Sequence, residues 1–493
     1  MFNPMYKKSR LITGNPESNV AICCLWTKCS KIAEKIDKNN YAVIGQLFSA
    51  ERGLDLLVRN LLSNPNITNI IITGTDFSKS GVVLKDFFEK GFEKGETKVT
   101  KKPAWIAKSE YPGYIDLDVP EDALNTLRES INVTVVADVS SFDFSSLKQP
   151  EKKREKKVFE KKEDEIKHYP GSDIGYFVQH KNVVGAWLQI LDTILKFGKI
   201  SGTHYDDNQK EIMNLISVIT DEDPYSFHIT DFLPENEQHI KDYLPKITTD
   251  FKEEGTSYTY GSRMRSWFGV DQVKEAIKKL ARSQESRAVV INLWDSKGDL
   301  TIGGSPCLNH IWLRIKDGKL HMTCTIRSND MFGAYPENAF GLRSLQEVIR
   351  KELVETLEKE NKEHDIKLGH LIINSQSAHI YDDCWERAQQ IVDMYYDKYM
   401  SMHPTDPTEN QDPRGSFQIE LDNGEIVVNY LSTDGTEIKK LRGKNAAELR
   451  DIIARENIIS LLAHAIDIGM ELQKAEIALK SKKEYNQDQN IDL

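Results

Sequence analysis

Between Lys148 and His168 the chain reads KQPEKKREKKVFEKKEDEIKH, a run that is almost entirely charged, with one aromatic and no spacing of apolar residues that could form a core. Such a stretch cannot bury enough apolar surface to offset the entropy of ordering it, so it reads as a solvated linker or an exposed helix. It forces at least two separately cored parts onto the chain. With 493 residues, 39% hydrophobic and 29% charged, the remainder is long enough for two to four domains. A softer break, MHPTDPTENQDPRGS at 402–416, is rich in proline, aspartate and threonine. The expected divisions are 1–146, a charged linker at 147–168, 169–404, and 405–493.

Charge and cysteine content narrow the function classes. A formal charge of −11 disfavours wholesale nucleic-acid binding, though a local basic pocket can still hold a small anion. No run approaches the length of a membrane span, and MFNPMYKKSRLITGNPESN lacks the apolar stretch of a signal peptide, so a cytoplasmic protein without a membrane partner is expected. Six cysteines are too few for a disulfide framework. Cys23, Cys24 and Cys29 lie close together but offer no Cys-x-x-Cys and no nearby histidine, and no metal site is expected.

Before the charged run, NVAICCLW, YAVIGQL, ITNIIITGT and NVTVVADV are short β-branched segments. AERGLDLLVRNLLSN and LKDFFEKGF, between them, carry helical spacing. Strands alternating with helices predict a doubly wound parallel α/β sheet. After residue 416, SFQIELDN and EIVVNYLS meet at Asn423-Gly424 as in a hairpin, and a long amphipathic pattern follows, predicting a small α+β module.

The middle part holds the chemistry. SPCLNHIWLRIKDGKLHMTCTIRSNDMFGAYPEN, residues 305–338, sets Cys307 behind a proline and follows it with Arg-Ser-Asn-Asp and Pro-Glu-Asn. A lone cysteine is most often a buried thiol in a β-rich core. Taken singly, each arginine is most often a surface ion-pair partner, an asparagine after Pro336 a turn residue, and Tyr260 a structural tyrosine. Together with YGSR at 260–263, SQESR at 283–287 and HIY at 379–381, the stretch resembles thymidylate synthase, particularly its divergent archaeal branch, which reads RSxDMFGAxPxN and SAHIY.

The resemblance implies an α+β fold with a large mixed sheet, dUMP as substrate and methylene-tetrahydrofolate or methylene-tetrahydromethanopterin as one-carbon donor. It implies a Cys307 thiolate adding to C6 of the uracil, since methylation at C5 needs a carbon nucleophilicity the ring lacks. Asp330 would contact the pterin and Tyr260 move the C5 proton. Arg327 and Ser328 would hold the phosphate, with Arg287 reaching it from the partner of a homodimer. Asn338 would read the uracil edge, where a carboxylate would suit cytosine. His379 and Tyr381, two apart on an extended strand, would reach the deoxyribose. The competing readings are a pyrimidine nucleotide hydroxymethylase and a non-catalytic protein that binds a one-carbon carrier. Leu308 and Ala288 stand where the bacterial pattern has histidine and arginine. The family's proton-relaying glutamate has no clear counterpart, with Glu237 the nearest candidate, and something other than a closing C-terminal residue is expected to shut the site.

Outside this part, GNPESNVAICCLW, AERGLDLLVRNLLSNPNITNIIITGTD and VPEDALNTLRESINV resemble the corrinoid-carrying component, designated A, of tetrahydromethanopterin S-methyltransferase. TGTDFSKSGVVL lacks that family's cobalt-binding histidine, so a corrinoid is not expected. Residues 411–488 resemble an uncharacterised archaeal domain found beside both kinds of protein.

Overall fold

The computed structural model describes residues 2–98, 101–147, 154–161, 169–203, 207–253, 255–301, 304–403 and 412–489. Two compact units result, Met1–Met400 and Ser401–Leu493.

In the first unit the N-terminal apolar runs form one sheet, ordered Ile12–Thr13, Val43–Gly45, Val20–Cys23, Asn69–Ile72, Asn132–Val135. The first pairing is antiparallel and the others are parallel. The strand order reverses direction at Val20–Cys23, the geometry in which open α/β sheets take ligands beyond the carboxyl ends of their strands. The helix Ala50–Ser63 buries Leu54, Val58, Leu61 and Leu62 and joins Ile70, Ile72 and Phe87 in one core.

The described part of the charged run is extended, half exposed, and tied down at a few points. Over 154–161 it has no helix. Arg154 donates to Ser130 Oγ (2.6 Å) and Leu61 O (2.8 Å), Phe159 O accepts from Arg59 (3.1 Å), and the Phe159 ring packs against the N-terminal core. The segment has no core of its own, but its neighbour supplies partners for its backbone and its one aromatic. Residues 148–153 and 162–168 of the run lie outside the described residues.

The same unit contains a second, eight-stranded mixed sheet. Its path runs Lys199–Gly202, Asn208–Ile219, Lys367–Tyr381, Lys319–Ile326, Leu308–Lys316, Val290–Asn292. Ile174–His180 pairs with Asn208–Ile219, and the short Asn329–Asp330 pairs with Lys367–Tyr381. The helices Val183–Phe197 and Tyr335–Lys359 cover one face, and Trp187, wholly buried between them and the sheet, donates to Met331 O (2.7 Å). Across the other face runs an apolar and hydroxyl-bearing row in register, Val218, Ile372, Thr323, Trp312 and Val290. Val290, Phe177, Met213 and Ile216 are exposed there.

The second unit is a meander of Ser416–Asp422, Glu425–Leu431 and Glu437–Gly443 with the helices Ala446–Glu456 and Leu462–Ser481. Asn423 and Gly424 both take positive φ (51° and 81°), as the hairpin signature requires. Asp412 ties the entry to this unit together, accepting from the backbone N–H of Arg414, Ser460 and Leu461. The softer break at 402–416 falls largely on 404–411, outside the described residues.

Candidate active site

Cys307 and Arg327 are twenty positions apart in the chain and adjacent in space because of hairpin arithmetic. Leu308–Lys316 and Lys319–Ile326 pair antiparallel with Leu308 opposite Ile326, so the residues just outside that pair meet at the hairpin's open end. Arg327 N–H donates to Cys307 O (2.9 Å). The guanidinium is fixed on the turn before the cysteine, donating to Pro306 O (3.1 Å), Ser305 O (3.0 Å) and Ser305 Oγ (3.2 Å). Cys307 itself is half-buried. Burial pushes its thiol up, and the Arg327 charge opposes that.

Tyr260 opens the helix Tyr260–Arg265, held by reciprocal Thr259 and Ser262 caps. A Cβ at Gly261 would overlap the carbonyl oxygen of Thr249, so glycine lets the helix start seat here. Burial first, then the neighbouring Cys307, raise the Tyr260 hydroxyl well above its ordinary value, and Tyr258 is raised by the same two causes. Arg263 of the same motif is buried on Asp299 (2.9 and 3.0 Å) and serves structure.

Asn338 lies in the first turn of Tyr335–Lys359, 6% exposed, with Oδ1 accepting from the Tyr243 hydroxyl (2.8 Å). Next to it Glu337 contacts His239 Nε2 (2.9 Å). Asp330 pairs in register with His379, and its Oδ1 accepts from Phe332 N–H (3.0 Å) and Gly333 N–H (3.1 Å). His379 and Tyr381 share one side of their strand with ring centroids 4.9 Å apart. His379 is 2% exposed, and burial lowers its pKa against the pull of Asp330. Ser328 is half-buried next to Arg327. Arg287 is the exception. It is exposed in the turn before Val290–Asn292, where its carbonyl accepts from the Trp312 indole (2.9 Å).

Several residues of the cluster carry no motif. Glu235, two positions from the expected Glu237, is raised well above the ordinary carboxylate range by burial and by Glu337, with Arg387 opposing and Asp330 adding to the rise. Its Oε2 is shut from solvent with no hydrogen-bond partner among the described residues. Glu237 is exposed and paired with Lys241 (2.6 Å). Tyr243 and Tyr260 both lie within electrostatic reach of Cys307 and Glu337, so the four groups form one continuous set.

The N-terminal domain approaches this set from outside. Lys31 donates to Gly255 O (2.8 Å) ahead of Tyr258. A Cβ on Gly304, ahead of Cys307, would lie 2.9 Å from Lys28 Nζ. Arg52 donates to both Asp383 oxygens (3.0 and 3.2 Å) and stands 3.7 Å from Asp330 Oδ2. In the loop 73–79, where a cobalt ligand would be sought, Asp76 accepts from Gly81 N–H (3.0 Å) at the start of Ser80–Glu89.

Archaeal relatives match a little under half of the chain. A protein of Methanosarcina barkeri named "putative thymidylate synthase" is 32% identical over 221 residues, covering 45% of this chain and 96% of its own length. One of the same name from Methanosarcina mazei is also 32% identical, with the same coverage. Another from Methanothermobacter thermautotrophicus is 29% identical over 231 residues, 44% of this chain and 99% of its own. This chain belongs to the thymidylate synthase family. The family description "Thymidylate synthase" matches residues 229–434, running past the end of the first unit. The family of the A component of tetrahydromethanopterin S-methyltransferase matches 4–159, and "PterinBD-DUF4346" matches 411–488. No helix among the described residues is long and apolar enough to cross a membrane.

Proposed function

We propose that the chain is a thymidylate synthase that converts dUMP to dTMP with a methylene-pterin donor, through a covalent Cys307 adduct. The observation that carries this reading is the meeting of a half-buried thiol with a backbone-anchored Arg327 next to two tyrosines, an amide and a carboxyl whose Oε2 is buried without a hydrogen-bond partner among the described residues. Thiolate addition at C6 makes C5 nucleophilic and builds charge at O4, which a neutral Glu235 carboxyl can discharge by donating its proton. Asn338 presents an amide to the uracil edge, its orientation set by Tyr243. His379 and Tyr381 face the sugar, and Asp330 the pterin.

Arg287 has no place in its own protomer's cluster, which fits a role in the site of a second copy. The exposed apolar row on the open face of the large sheet is the surface that such a homodimer would bury. The decisive assay is tritium release from 5-tritiated dUMP with methylene-tetrahydrofolate and methylene-tetrahydromethanopterin in turn, with identification of the nucleotide product. Release with dTMP formed is expected with one of them. Hydroxymethyl-dUMP as product, or no release with either, overturns the reading.

A further inference from the structure

The strands Val20–Cys23 and Val43–Gly45, the helix Ala50–Ser63 and residues 2–11 enclose a cavity of about 670 Å³. It does not close within the N-terminal domain, because Asp330, Tyr381 and Asp383 of the synthase segment complete its wall. Its size is that of a small-molecule site. Ala21, Leu56, Leu57 and Ile70 make an aliphatic lining, while Trp26 and Phe48, edge to face at 5.1 Å, line it where they are partly exposed.

The charges at the synthase side are committed to one another. Lys7 holds Asp207 (2.6 Å), Arg10 holds the other oxygen of Asp207, and Arg52 holds Asp383. Asn60 is turned to the chain itself, accepting from Met5 N–H (2.7 Å) and Tyr6 N–H (3.0 Å). Neither a compact anion nor a cation finds an open partner in these groups. The lining suits a flat, largely apolar body, which such walls bind through area and ring contacts. Asp330 belongs both to this cavity and to the carboxylate set around Glu235, so a molecule reaching from one to the other passes that residue.

We propose that this cavity is the subsite for the part of the one-carbon carrier beyond its pterin ring, an aryl group with its linker, with Asp330 and Arg52 at the junction. The inference rests on the synthase reading for the identity of the carrier. It gives the N-terminal domain a direct part in choosing that carrier, and places an apolar wall from another domain over the synthase cleft.

The test is anaerobic calorimetric binding of tetrahydrofolate, tetrahydromethanopterin and 6-methyltetrahydropterin, the ring without its aryl tail, to the full chain with dUMP present. Leu57→Trp and Ala21→Leu fill the cavity from the helix and from the sheet, and circular dichroism checks that each folds. The wild-type chain should bind a tailed carrier at least tenfold more tightly than 6-methyltetrahydropterin. Both variants should lose that advantage while 6-methyltetrahydropterin binding stays within twofold. The inference is overturned if no tailed carrier binds more tightly than the bare ring, if a folded variant binds the tailed carrier unchanged, or if tailed and tail-less ligands weaken together. Tritium release separates the two claims. The expected binding pattern without tritium release leaves the subsite standing and removes the synthase reading, and release with binding insensitive to both variants does the reverse.

Discussion

Glu235 has a carboxyl oxygen closed off from water with no donor in reach among the described residues, and both its burial and the adjacent Glu337 favour the protonated form. On the proposed reading it is the proton donor, held neutral at pH values where an exposed glutamate would be ionised. The limb it sets in a pH–rate profile has a definite sign. The active, neutral form is lost as pH rises through the elevated pKa, whereas Cys307, also raised by burial, becomes reactive as pH rises. Glu235→Gln should lower turnover about 10²-fold or more, leave dUMP affinity within a few-fold, and remove the descending limb of kcat/KM against pH. A variant with wild-type kcat would take Glu235 out of the chemistry. Asn338→Asp should move the preference from dUMP toward dCMP, because a carboxylate opposes N3–H poorly but accepts from the cytosine amine. An unchanged ratio of the two kcat/KM values would show that another group reads the base. Cys307, Arg327 and Asn338 could be put forward as candidates from the sequence because they share one continuous motif-bearing stretch. Glu235 could not, because what distinguishes it from Glu237 is burial among groups about a hundred positions away, Glu337 and Asp330.

At the scale of elements, the hairpin that joins Leu308–Lys316 to Lys319–Ile326 was readable as alternation, and its register alone brings the thiol and the guanidinium together. The contact between the helix Ala50–Ser63 and the segment after Tyr381 was not readable, since no local pattern announces a partner more than three hundred residues away. Asp383 shows what holds that contact. Burial raises its pKa, but Arg52, with Lys7 and Arg10 behind it, brings it from 3.8 down to about 2. A folded-state value below the unfolded one contributes stability above pH 4, which is lost as pH falls through 2, and the shift corresponds to about 2 kcal/mol. Asp383→Asn should therefore cost stability near neutral pH and flatten the difference in urea midpoint between pH 5 and pH 2.5. If wild type and variant lose stability in parallel over that range, Arg52 and Asp383 do not carry the contact. The second unit was legible for a simpler reason, because Asn423-Gly424 and the strands on either side of it specify each other locally.

At the scale of the molecule, the N-terminal and synthase segments lie in one compact unit, Met1–Met400, and Arg52, Lys28 and Lys31 reach toward the loops that carry Asp330, Cys307 and Tyr258. Short β-branched runs foretold the N-terminal parallel sheet, and the family resemblance implied the large mixed one, yet neither could foretell that the N-terminal domain would reach the loops around Cys307, because an interface of long polar side chains leaves no periodic trace. The open face of the large sheet raises the complementary question of what covers Phe177, Ile216 and Val290. A two-fold pairing of these faces would bury them and would also account for Arg287, which stands outside its own cluster. Each site would then take its thiol from one protomer and one phosphate ligand from the other. Cys307→Ser and Arg287→Ala should each be nearly inactive alone. When the two are unfolded together and refolded as a mixture, half of the dimers are mixed and one of their two sites has both residues intact, so about a quarter of wild-type activity should return. Activity that stays at the level of the separate variants would mean that Arg287 serves no partner's site, and activity in Arg287→Ala alone would remove the residue from phosphate binding altogether.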